Sequence, residues 1–121
     1  YYPILCGVID GETAQERIEK GWNKFVVQDL GCKCVEEEPW VTAAESCELV
    51  LALNKISQRD RAEIIFKDVL NLADAESKLF WTGYVYQDKK YWPIEKPSWT
   101  AAAVLLAANS LYKFTKASDF F

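Results

Sequence analysis

Apolar and polar positions along the chain fall into two kinds of helical pattern, and the two kinds alternate. Ala14, Ile18, Trp22 and Phe25 recur at helical spacing while Glu12, Glu16 and Lys20 keep to the opposite side, which predicts an amphipathic helix with one buried stripe. Thr13 and Glu16 read as a capping box at its start, and the helix is expected to end near Val27. Trp40 to Ile56 differs: only Glu45, Glu48, Asn54 and Lys55 interrupt an apolar surface that reaches nearly all round. A helix apolar on most sides is buried on most sides. Ser57, with Asp60 in the first turn, opens a third helix from Gln58 to about Ala73, where Ala62, Ile65, Phe66, Val69 and Leu72 make a single stripe. Ser98 opens the last, Trp99 to about Phe114, whose clearly polar members are Thr100, Asn109, Ser110 and Lys113. It is expected to be buried as well. The order outer, inner, outer, inner suits two concentric layers of antiparallel helices, whereas a plain bundle would give every helix the same stripe.

The connections carry their own signals. Tyr1 to Ile9 is an apolar run ended by Asp10-Gly11, expected as the tail of an earlier helix. Gln28 to Pro39 reads as a loop punctuated by Gly31. Asp74 to Ser98 is a long aromatic connection in which Phe80–Tyr86 and Tyr91–Pro93 flank Gln87-Asp88-Lys89-Lys90 as a small hairpin. A shift of 58 residues lays Glu37–Ala44 over Glu95–Ala102 with Glu, Pro, Thr, Ala and Ala identical, and brings Leu53 onto Leu111. Each copy sits at the mouth of an inner helix, which reads as an internal αα repeat. The expected fold is therefore all-α: antiparallel αα-hairpin repeats, a partial α/α toroid, with a small aromatic β-hairpin-like loop. A single domain spans 1–121, with repeat units of about 13–73 and 74–121.

Composition narrows the function. Half of the 121 residues are apolar and 14% aromatic, enough for a continuous core and against disorder. The net charge of −4, without a basic stripe, disfavours nucleic acid. The uncharged stretch Ser98–Tyr112 is shorter than the roughly 20 residues that a bilayer span needs. No signal peptide is visible and the chain begins at Tyr1, so it is expected to be an excised or processed piece of a longer protein; the cytoplasm is the expected location, from cysteines that read as free thiols. Cys6, Cys32, Cys34 and Cys47 lack zinc-type spacing and histidine partners; they read as free thiols, and neither metal nor cofactor is expected.

Glu45 shares a helix sector with Thr42, Leu49, Ala52 and Ile56. A carboxylate in such a setting has a raised pKa unless it is paired, which suits a general acid; a hydrogen bond to the neighbouring helix start is the structural alternative. Glu48, nearby on the same helix, is expected either to reach the same cavity as a ligand-binding residue or to pair with a neighbour. Glu37 and Glu95 hold equivalent repeat positions before Pro, lining a cleft mouth or capping helix starts. Trp40, Trp81, Tyr84, Tyr86, Tyr91, Trp92 and Trp99 crowd the helix starts and the long connection. They serve either to stack on sugar rings and line an apolar ligand channel, or to fill the core.

Tyr1–Val8, Glu38–Leu49, Phe80–Tyr86 and Trp92–Ala108 resemble the C-terminal part of bacterial proteins labelled prenyltransferase-like, after the α/α toroid of squalene and terpene cyclases and protein prenyltransferases. The resemblance implies a toroid fold and longer relatives, of which this chain would be about the final third to half; the label describes a fold and not an activity. The cyclases' Asp-x-Asp-Asp acid is absent, as are their Gln-x3-Gly-x-Trp repeats and the prenyltransferases' histidine ligand. Three classes stay open: a ligand-binding part of a toroid enzyme acting on an isoprenoid or glycan, a glycosidase-like domain using Glu45 and Glu95 as acid and base, or a non-catalytic structural or interaction domain. Self-association, or packing on a missing part of the chain, is expected because both inner helices are apolar nearly all round.

Overall fold

One helix organises the molecule. In the computed structural model, which describes residues 1–120, α3 (Ala43–Lys55) runs through the centre. Ala43, Ser46, Cys47 and the whole run Leu49–Leu53 are buried, as its nearly all-round apolar surface predicts. Two helices flank it, α4 (Arg59–Leu70) and α5 (Ser98–Tyr112), each packing on α3 far more extensively than on the other. The short α1 (Tyr2–Leu5) also rests on α3 and buries Ile4 there. Apart from these, α2 (Gly11–Phe25) buries Ala14 and Ile18 from its single stripe. A short 3-10 turn, Lys116–Phe120, follows α5.

A small sheet closes one end. Five short strands, β1 (Val26–Val27), β2 (Gly31–Lys33), β3 (Trp40–Thr42), β4 (Gly83–Val85) and β5 (Lys90–Tyr91), pair antiparallel in chain order, leaving β1 and β5 as open edges. Cys32 faces Thr42, Thr42 faces Gly83, and Tyr84 stands between Val41 and Tyr91. The architecture is thus mostly helical with a small, non-closed antiparallel sheet.

Several expectations are corrected. The span Trp40–Ile56 is not one helix: its first three residues are β3, because β-branched Val41 and Thr42 favour extended backbone and find partners on both sides. Gln28–Pro39 is not all loop, since Gly31–Lys33 is the strand β2; and the helix expected to reach Val27 stops at Phe25, leaving Val26-Val27 as β1. The aromatic hairpin does form, but as two strands of this larger sheet. Thr13 and Glu16 do not make a capping box: α2 begins at Gly11 behind Asp10, which puts Thr13 inside the first turn. Ser57 and Ser98 do not cap either, for the N-cap positions belong to Gln58 and Pro97. Nor is α5 an inner helix. Val104, Ala107 and Leu111 are buried, but Leu105 is 70% exposed, and Trp99, Leu106 and Tyr112 are exposed too. The alternation of layers holds for α2, α3 and α4 and fails at α5, since apolar composition says what a face prefers and not whether another element reaches it.

Candidate functional site

Glu45 stands in the first turn of α3, where a negative charge meets the positive end of the helix. Its placement begins two strands away. Gly31 has a φ of 119°, and a β-carbon there would come within 2.7 Å of Ser46 Oγ. Freed of that clash, Ser46 accepts a hydrogen bond from Cys32 N at 2.7 Å and donates to Thr42 O at 2.6 Å, pinning β2 to the start of α3. Two residues along, Cys34 Sγ donates to Glu45 Oε1 at 3.3 Å. Thr42 is the N-cap residue, yet its hydroxyl donates to Glu45 Oε2 instead of accepting from the helix backbone. The half-buried Glu45 carboxylate is paired at both oxygens, with the start of its own helix and with Cys34 rather than with a neighbouring helix start.

Glu48 lies one turn further on the same face of α3. Both Tyr1 Oη and Tyr2 Oη donate to its Oε2, at 3.3 and 2.8 Å. Burial, joined by the nearby Cys32, Tyr2 and two carboxylates, pushes the Tyr1 phenol well above its ordinary range, and the bond to Glu48 raises Tyr2. Burial and the bond to Glu45 push the Cys34 thiol up to about 11, while burial and the Glu45 charge take Cys32 to about 12. These groups stay protonated at neutral pH and act as hydrogen-bond donors rather than nucleophiles.

Tyr1, Tyr2, Cys32 and Cys34 form one wall of a cleft of about 650 Å³, and α2 forms the other with Arg17, Gly21, Trp22 and Phe25. The volume is that of a small-molecule site. Glu45 and Glu48 do not line the cleft themselves; each touches a side chain that does. Most of these residues escape a sequence reading, because the Tyr2–Glu48 and Cys34–Glu45 pairs join segments 46 and 11 residues apart.

The remaining candidates gather elsewhere. Glu95 is exposed and accepts from Thr82 Oγ1 at 3.2 Å; Thr82 O in turn accepts from Ala43 N at 3.0 Å, so this carboxylate is tied to the other side of the same helix start. Trp81 stacks on Tyr91, with ring centroids 5.0 Å apart, and Tyr84 tilts against Tyr91 at 5.5 Å. Lys96 Nζ lies 4.5 Å from the Trp81 ring centroid and binds Asp74 at 2.9 Å. Trp40 meets Trp92 edge to face and donates from Nε1 to Trp92 O at 2.8 Å. Tyr86 is half-buried beside Pro39, to which its backbone N–H donates, and Trp99 is exposed on α5. None of Trp40, Trp81, Tyr84, Tyr86, Trp92 and Trp99 lines the 650 Å³ cleft.

The chain is similar to a protein of Mycolicibacterium hassiacum named MMP endo-(1,4)-3-O-methyl-alpha-D-mannosidase, with 48% identity over 121 residues. The match takes in 100% of this chain and 33% of that protein, so the chain spans about a third of the length of the curated relative it matches. No family model matches. The relative's name overturns the prenyltransferase-like resemblance and, of the two ligands expected, the isoprenoid: a relative matched across the whole chain is named for hydrolysis of a glycoside, not for prenyl transfer or terpene cyclisation.

Proposed function

We propose that this chain is part of a glycoside hydrolase acting on an α-linked, partly O-methylated mannose chain. The observation that carries this reading is the 48% identity, sustained over all 121 residues, with a protein named as such a mannosidase. Such hydrolysis needs two positioned carboxylates. We assign one to Glu45, whose two hydrogen bonds hold both oxygens in place, and take Glu95, fixed through Thr82, as the second to test. One carboxyl group gives its proton to the glycosidic oxygen as the bond from that oxygen to the anomeric carbon breaks. The other takes a proton from the water whose oxygen bonds to that carbon, so one water is consumed per bond cleaved.

In the same reading, the α3–α4 hairpin and α5 belong to a ring of antiparallel helical hairpins, with repeat units of about 13–73 and 74–121 in one domain. The exposed row on α5 then faces the remaining hairpins.

The test is a chimera in which this chain replaces the matching third of the Mycolicibacterium hassiacum protein. It is expected to release shorter chains from an α-(1,4)-linked 3-O-methylmannose oligosaccharide, followed by mass spectrometry. Glu45→Gln, and separately Glu95→Gln, should lower turnover by about 10²–10⁴-fold with the melting temperature held. A folded chimera without hydrolysis overturns the reading; a fully active Glu45→Gln chimera removes Glu45 from it.

A further inference from the structure

Gly21 sits in the interior of α2, where glycine weakens a helix by roughly 1 kcal/mol relative to alanine. Neither usual reason for a glycine applies. Its backbone is not left-handed, and a β-carbon there would meet nothing closer than Phe25 Cδ2 at 3.9 Å. A β-carbon would fit the fold without strain, on a residue that lines the cleft. What the glycine preserves is the open volume itself.

The walls of that volume have a chemical character. Trp22 and Phe25, half-buried on α2, give it aromatic surface, with the Arg61 guanidinium 4.5 Å from the Trp22 ring centroid, and Leu49 lines it from α3. Arg17, one turn before Gly21, lines it with Glu16, Lys20, Lys24 and Lys33, and so do Tyr1 and Tyr2, whose hydroxyls Glu48 holds. Aromatic faces with a few fixed polar groups suit a pyranose ring, whose C–H face is apolar and whose rim is hydroxylated. Apolar lining also suits a methyl group that a plain sugar lacks.

Resting on the glycosidase reading, we infer that the cleft between α1, α2 and β2 binds a sugar unit of the substrate and selects its O-methylated form, with Gly21 keeping the space open and Trp22 and Phe25 receiving the methyl group. A methyl group moved from water into such a pocket changes affinity about tenfold or more.

The test titrates the protein with methyl 3-O-methyl-α-D-mannopyranoside and with methyl α-D-mannopyranoside, following backbone and indole 1H–15N signals. The methylated sugar should bind about tenfold more tightly, moving the signals of Gly21, the Trp22 indole and Cys34. Gly21→Leu should raise the melting temperature and abolish those shifts, while Gly21→Ala should keep the fold and weaken binding less. Equal affinity for the two sugars, shifts confined to the Trp92–Trp99 region, or undiminished binding by folded Gly21→Leu would each overturn the inference. Hydrolysis by the parent chimera reads the glycosidase assignment independently. An active chimera that keeps its activity and methyl preference with Gly21→Leu discards the cleft inference and leaves the assignment standing.

Discussion

Cys34 shows how a single side chain can serve a site without reacting in it. Its thiol is pushed from an ordinary value of 9.0 to about 11, mainly by burial and then by its bond to Glu45. A thiol raised in the folded state favours folding while both states keep the proton. That contribution is complete below about pH 9 and is lost as pH rises toward 11. Cys32 and Cys47, both raised to about 12, extend the loss by one further unit. The urea midpoint should therefore fall between pH 9 and 12, less steeply in Cys34→Ala than in the parent. A midpoint flat across that range would remove the thiols from the account. The sequence showed Glu45 as a polar interruption in an apolar helix. It put Thr42 beside it but did not show the thiol, because a hydrogen-bond partner 11 residues away is chosen by strand pairing.

At the scale of elements, α3 and α5 are joined by more than apolar contact. Asn54 Nδ2 donates to Ser110 O at 3.1 Å and to Ser110 Oγ at 2.8 Å, and Ser110 is buried. Removing the amide leaves both acceptors without that donor, so Asn54→Ala should cost about 1–3 kcal/mol by urea denaturation. The sheet has a tighter constraint. A β-carbon on Gly83 would stand 2.4 Å from Trp40 Nε1 and 2.5 Å from Val41 O, and the backbone oxygen cannot yield without opening the β3–β4 pair. Gly83→Ala is expected to lose at least about 1–3 kcal/mol and to weaken the Trp40–Trp92 contact, visible in tryptophan fluorescence. Unchanged stability would mean that β3 and β4 separate more easily than their register implies. The internal repeat is legible as sequence, and its two copies differ in structure at their first residues. Trp40-Val41-Thr42 is strand whereas the equivalent Ser98-Trp99-Thr100 is the first turn of a helix. The first copy has β2 and β4 to pair with; the second has no strand beside it among the described residues.

At the scale of the whole molecule, the open face of α5 dominates. Trp99, Leu105 and Leu106 are exposed, and neither α1 nor the aromatic connection covers them, because α1 packs on α3 and the aromatics pack on one another. Apolar rows of this kind drive association in water. The 121-residue chain in isolation should scatter light as larger species with rising concentration, and Leu105→Glu with Leu106→Glu should return it toward a monomer. A parent chain that stays monomeric at high concentration would contradict this. Among the described residues, no helix is long and apolar enough to cross a membrane.

What the sequence by itself determined is local and periodic. The helical character of the α2, α3, α4 and α5 segments, the central burial of α3 and the hairpin around Gln87–Lys90 follow from spacing and turn chemistry, which act over a few residues. Tertiary structure decided what depends on a partner. It turned Val26-Val27, Gly31–Lys33 and Trp40–Thr42 into a sheet, left one side of α5 uncovered, and opened the cleft by setting α2 against α1 and β2. It also turned Glu45 from a carboxylate in an apolar sector into one held at both oxygens. A strand of two or three residues has no periodicity long enough to read, and a cleft has no sequence at all: both exist only once distant segments meet.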